Sequence, residues 1–151
     1  TKLASEVVER MRPELEAADC AITLDAPGPV TGEWDAARLE QVIVNLLANA
    51  AKYGRGKPID VRVLQNDSRA ELVVRDRGIG ISPDDQKRIF GRFERAVSEQ
   101  HYGGFGLGLW ISLQVIEGLG GRIDVDSALG HGATFTVVLP LRPGLRKTIS
   151  A

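Results

Sequence analysis

The sequence predicts an α/β fold in which one mainly antiparallel or mixed sheet is covered by helices on one face. Three observations carry that prediction. Apolar segments with helical period alternate with short segments of period two. Glycine or proline closes most of these segments. The 151 residues, 43% hydrophobic and 26% charged, suffice for a single ordinary core and point to one domain.

In chain order, residues 3–18 read as an amphipathic helix with Leu3, Val7, Val8, Met11 and Leu15 at helical spacing, interrupted in its second half by Pro13. A short strand at Ala21–Leu24 ends in the turn Ala26-Pro-Gly-Pro, and Val30–Trp34 forms a second short strand or an extended segment. Asp35 is a suitable N-cap for a helix running to Tyr53 and closed by Gly54. Pro58–Leu64 alternates apolar and polar residues, and Ala70–Asp76 is its expected antiparallel neighbour. Ser82-Pro-Asp-Asp starts another helix, ending near Phe90, and residues 92–105 read as an irregular loop. A strongly apolar helix follows over Gly106–Leu119, then strands Arg122–Ser127 and Ala133–Leu139 joined by a turn. Pro140 and a basic tail close the chain.

The net charge of −1 gives no electrostatic reason to expect nucleic acid or an anionic membrane as a partner. Cys20 is the one cysteine, so no internal disulfide forms, and it is expected as a buried thiol without chemistry. No apolar run reaches the roughly 18–20 residues that span a bilayer, and Thr1 begins no signal-peptide pattern. The chain reads as a piece of a longer protein.

Four segments carry chemistry: Asn45–Tyr53, Asp76–Gly80, Gly104–Leu109 and Gly130–Phe135. At about 100° per residue, Asn45, Asn49 and Lys52 fall within roughly 60° on one face of their helix. Leu39, Ile43, Leu46 and Ala50 cluster on the neighbouring, core-facing side. Amide oxygens suit Mg²⁺ that keeps water and phosphate oxygens in its shell, and a lysine one turn on neutralises phosphate charge. Asp76 ends a strand, where a carboxylate accepts from an exocyclic adenine amine, while Gly78 and Gly80 let a purine approach the backbone. Gly104, Gly106 and Gly108 lead into a helix whose N-terminal N–H groups favour anions. The motif is neither a Walker P-loop nor a Rossmann fingerprint. Each segment alone also has a plain structural reading, from solvent-facing asparagines to a hairpin turn at Gly130–Phe135. Tyr53 either stacks on a base or fills the core, while Trp34, Phe105 and Trp110 suit core or lid packing.

Taken together and in order, these segments resemble the catalytic and ATP-binding domain of sensor histidine kinases. Asn45–Tyr53 matches the N box, Asp76–Gly80 the G1 box, Ile89–Arg95 the F box, Gly104–Leu109 the G2 box, and Gly130–Phe135 a G3-like element. The resemblance covers nearly the whole chain and implies a Bergerat fold, a two-layer sandwich of three helices on a mixed five-stranded sheet. It implies ATP and Mg²⁺ as ligands. Asn49 binds the metal with Asn45 helping, Lys52 meets phosphate oxygens, and Tyr53 lines the adenine pocket. Asp76 accepts from the adenine amine, with Gly78, Gly80, Ile81 and Thr134 around the base. Gly104, Gly106, Gly108 and Leu107 wrap the phosphates, with Phe105 and Leu109 in the same set. Residues 92–105 form a lid from which Arg92 or Arg95 reaches the γ-phosphate.

In the gyrase-type relatives the position four before the metal-binding asparagine is a water-activating glutamate. Asn45 stands there and cannot act as a general base, which argues for phosphoryl transfer to a protein nucleophile over hydrolysis. His101 and His131 have no phosphoacceptor context, so the target histidine is expected on a separate helix-hairpin dimerisation domain upstream, against which Phe90 and Phe93 dock. A response regulator is the expected downstream partner. Neither nucleic acid nor direct membrane contact is expected, and the setting is cytoplasmic whether or not the parent protein is anchored in the inner membrane. A nucleotide-sensing module of the same fold that transfers no phosphate is the alternative.

Overall fold

In the computed structural model, residues 1–91 and 108–142 are described. Their elements run α1 (Lys2–Ala17), β1 (Ile22–Asp25), α2 (Ala36–Tyr53), β2 (Ile59–Asn66), β3 (Arg69–Asp76), α3 (Pro83–Gln86), α4 (Gly108–Gly118), β4 (Arg122–Ser127) and β5 (Ala133–Pro140). The five strands make one sheet in the order β1-β2-β3-β5-β4. β1 and β2 are parallel, which the intervening α2 crossover allows, and the other neighbours are antiparallel. The sheet is therefore mixed, as the resemblance implies.

Strand alternation decides which face is buried. Ile59, Val61 and Val63 on β2, and Leu72, Val74 and Asp76 on β3, turn inward, while Arg62 and Arg75 turn out. The inward residues meet Val7, Val8 and Leu15 of α1, Leu39, Val42, Leu46 and Leu47 of α2, and Ile116 of α4. Two layers result, with α2 in the middle, packed on α1, α4 and β3. Cys20 lies fully buried in this core as a free thiol.

Most expected elements form within a residue or two of their expected ends. Asp35 caps α2 by accepting the Arg38 N–H at 3.2 Å, and Gly54 closes it. Helix α1 continues through Pro13 to Ala17, since Met11 and Leu15 beyond the first turns still bury an apolar face. Val30–Trp34 is extended without becoming a strand: Glu33 N–H reaches the Leu141 carbonyl and the Trp34 indole donates to the Pro140 carbonyl at 2.8 Å.

The helix expected to reach Phe90 stops at Gln86. Lys87–Phe90 continues as tighter turns, with bonds from Arg88 to Asp85 and from Gly91 to Arg88. Ile89 is buried, and Phe90 packs edge-on to Phe135 with ring centroids 6.3 Å apart. Phe90 is half-buried at the edge of the core. Phe93 lies outside the described residues. Gly108 begins α4 as described, so Gly106 and Leu107 of the expected longer helix also lie outside them.

Leu47 is fully buried at the centre of the helical layer. Leu47→Ala is expected to cost about 2–5 kcal/mol, read as a lower urea midpoint at unchanged slope.

Candidate functional site

The site gathers at one end of the sheet, where α2 ends beside the loop following β3. Gly78 lies so close to the end of α2 that a Cβ there would overlap the Tyr53 carbonyl oxygen. The Ile79 N–H donates to that same carbonyl at 3.3 Å. Gly132, at φ +75°, meets the Asp76 carbonyl equally closely, in a conformation glycine adopts without strain. Its N–H donates to the Gly78 carbonyl at 3.1 Å, and Gly130 N–H donates to the Ile79 carbonyl at 2.8 Å. The loop after β3 is thus held between the end of α2 and the β4–β5 turn.

Asp76 sits at the centre of this contact. It is 5% exposed, and its Oδ1 accepts the Gly78 N–H at 2.9 Å. Burial pushes its carboxyl above the ordinary 3.8, opposed by the N–H groups of Gly78 and Ala133. Gly54 at the end of α2 leaves room directly over it: a Cβ there would lie 3.0 Å from the Asp76 Cβ. Among the described residues its hydrogen-bond donors are backbone N–H groups, and a carboxylate, which only accepts, has room in its chemistry for a further donor.

Asn45, Asn49, Lys52 and Tyr53 are all half-buried along α2. The Asn45 amide nitrogen faces the Gly108 carbonyl at 3.4 Å and the Ser112 hydroxyl at 3.5 Å, joining α2 to the start of α4. These two contacts use only the amide nitrogen; an amide oxygen is a neutral acceptor of the kind that suits a hard cation. Lys52 Nζ lies 5.6 Å from the Tyr53 ring centroid, and its side chain also lines the groove between α1 and α2. Ile81 lies within the loop after β3, and Leu109 follows Gly108 in the first turn of α4. Arg92, Arg95, Gly104, Phe105, Gly106 and Leu107 lie outside the described residues.

One expected residue is elsewhere. In the β3–β5 register, Asp76 pairs with Ala133 and Arg75 with Thr134. Cross-strand partners share a face and successive residues alternate, so Thr134 lies on the sheet face opposite Asp76. Ala133 is the neighbour of the carboxylate. A two-residue-period count from Asp76 through the strand pairing settles this, and no property of the isolated segment does.

Two residues of the site escaped the sequence reading: Gly54 and Ser112. The signal for Ser112 was a lone hydroxyl in an otherwise apolar helix, one turn after Gly108; it is fully buried against Asn45. Gly54 was legible only as a helix stop.

The sequence profile described as histidine kinase-, DNA gyrase B- and HSP90-like ATPase matches residues 34–143. The chain belongs to that family. It is similar to the sensor histidine kinase MtrB of Mycobacterium leprae, 36% identical over 138 residues, which is 89% of this chain and 25% of MtrB. It is also similar to the sensor-like histidine kinase SenX3 of Mycobacterium bovis, 37% identical over 141 residues, 91% of this chain and 34% of SenX3. The chain therefore spans a quarter to a third of these relatives. Among solved structures, the mycobacterial sensor histidine kinase MprB superposes with a TM-score of 0.81 at 34% identity, covering 95% of both chains. Full-length ShkA in complex with AMPPNP superposes at 0.82 and 30% identity, over 92% of this chain and 29% of that one. The family, the fold and the two-component kinase relatives expected from the motifs are thus shown: this is an ATPase-type catalytic domain of the sensor histidine kinase kind. Among the described residues no helix is long and apolar enough to cross a membrane.

Because the Asp76 carboxyl is raised by burial, the native state holds its proton more tightly than the unfolded chain does. Between 3.8 and the raised value the native state binds more protons, so this group's contribution to stability falls as pH climbs through that window. Asp76→Asn removes the ionisation and keeps an acceptor oxygen. Without nucleotide it is expected to be at least as stable as the unaltered protein near neutral pH, with that advantage shrinking toward about pH 3, read as Tm against pH.

Proposed function

We propose that this domain holds ATP·Mg²⁺ and delivers the γ-phosphoryl group to a histidine on a separate helix-hairpin domain of a longer kinase. The observation that carries it is Asp76: a buried carboxylate on a glycine-built ledge, at one end of the helix face that bears Asn45, Asn49 and Lys52. The AMPPNP complex of ShkA, an adenine-nucleotide complex on the same fold, supports the nucleotide reading.

In this reading Asp76 accepts from the 6-amino group of adenine, and Gly78, Gly80 and Ile81 border the base. Tyr53 lines the pocket. Asn49 and Asn45 hold Mg²⁺ through amide oxygens, and Lys52 meets phosphate oxygens. Gly108 and Leu109 open the α4 N-terminus toward the phosphates, with Gly104, Phe105, Gly106 and Leu107 before them and Arg92 or Arg95 toward the γ-phosphate. Bound Mg²⁺ supplies charge neutralisation for the transferring group. The residues of this chain position and shield. Asn45 ties α2 to α4 and offers no carboxylate to activate water, so transfer is favoured over hydrolysis. The phosphoacceptor hairpin and a response regulator are the partners, and the work is done in the cytoplasm where ATP is available.

The deciding experiment mixes the domain, labelled ATP and a cognate helix-hairpin fragment. Labelled histidine is expected; nucleotide binding without any transfer would favour the purely sensing alternative. Asp76→Ala is expected to weaken ATP binding by about 1–3 kcal/mol in calorimetry. Asn49→Ala should weaken it mainly when Mg²⁺ is present, and an equal loss in EDTA would rule out its metal role.

A further inference from the structure

Asp76, Ala133 and Ser127 form one row across β3, β5 and β4, since Ala133 pairs with Asp76 on one side and with Ser127 on the other. Cross-strand partners share a face, so Ser127 stands on the same inner face as the carboxylate, two strands away. The loop after β3 hangs from both ends of this row. Asp76 Oδ1 takes the Gly78 N–H at 2.9 Å, and Ser127 Oγ takes the Ile81 N–H at 2.8 Å. The Ser127 hydroxyl in turn donates to the Gly132 carbonyl, whose own residue donates back to Gly78.

Gln86, the last residue of α3, completes the clasp. Its carboxamide nitrogen donates to the Ile81 carbonyl and to the Ser127 carbonyl, both at 2.8 Å. Both polar groups of the Ile81 backbone are therefore held by side chains, and both of those side chains converge on residue 127. A carboxamide can donate twice; a carboxylate of the same shape at position 86 would face two carbonyls with nothing to give. No apolar packing is needed to explain either residue: both are half-buried and outside the core cluster.

We infer that Ser127 and Gln86 are positioning residues that set the purine selectivity of the site, holding the loop of Gly78 to Ile81 at the spacing from Asp76 that admits adenine and rejects guanine. This role rests on the nucleotide reading above. The physical basis is that a carboxylate accepts from a 6-amino group and is repelled by the 6-oxo group of guanine. That discrimination survives only while the loop keeps Asp76 facing the base edge. With the clasp loosened, the loop slides and the carboxylate meets solvent as readily as base.

The test is calorimetric binding of ATP and of GTP, each with Mg²⁺, to the full chain and to Ser127→Ala, Gln86→Leu and Ser127→Thr. The unaltered protein is expected to favour ATP. Ser127→Ala and Gln86→Leu should each lose about tenfold of the ATP-to-GTP preference, while Ser127→Thr, which keeps the hydroxyl, retains it. A folded Ser127→Ala or Gln86→Leu with lowered Tm and the full preference would overturn the inference, showing a stabilising role only. So would unfolding of both variants, or equal binding of the two nucleotides by the unaltered chain. If the unaltered chain binds no ATP at all, the nucleotide reading itself fails and takes this role with it.

Discussion

The close approach of Gly78 to the carbonyl end of α2 is the constraint on which the site depends. A helix end leaves carbonyls without intrahelical partners, and here the loop after β3 is pressed against them, with the Ile79 N–H donating to the Tyr53 carbonyl. The same loop is clamped from the other side by the β4–β5 turn through Gly130 and Gly132. Three separate stretches of backbone therefore meet where no side chain could fit. These approaches and bonds hold Asp76 beside the end of α2, the helix that carries Asn45 and Asn49.

This arrangement is maintained against an electrostatic cost. A carboxylate in the sheet's buried row is desolvated, and two backbone N–H groups offset only part of that cost. A buried carboxylate kept at such a cost is a feature that clusters at functional sites. Asn45 plays the complementary part at the other end of the site. Its amide nitrogen is turned to α4, and its amide oxygen is a neutral acceptor of the kind that suits a hard cation. An amide here joins two helices and carries no charge; a glutamate would bring charge and general-base chemistry to the same position.

Local signals were legible wherever a residue's role is set by its neighbours in sequence. The Asp35 cap, the Gly54 stop, the alternation of β2 and β3 and the shared face of Asn45, Asn49 and Lys52 all follow from backbone periodicity. Thr134 shows where that reasoning ends. It stands beside a glycine turn and carries a hydroxyl, yet the β3–β5 register turns it away from Asp76 and brings Ala133 forward. Phe90 shows the same limit, because its partner Phe135 is far away in sequence and close in space. Ser127 and Gln86 gave no motif to notice, being one hydroxyl at a strand end and one amide at the end of a short helix.

By itself the sequence determined the order of helices and strands, the chemistry available on α2, and the presence of glycines where backbone must approach backbone. Only the tertiary structure decided which strand residues share a face with Asp76, which carbonyls Gln86 bridges, and which ring Phe90 packs against. The reason is physical: periodicity is a property of consecutive residues, whereas register and side-chain clasps depend on how distant strands pair, and a one-residue difference in pairing reverses every side chain on a strand.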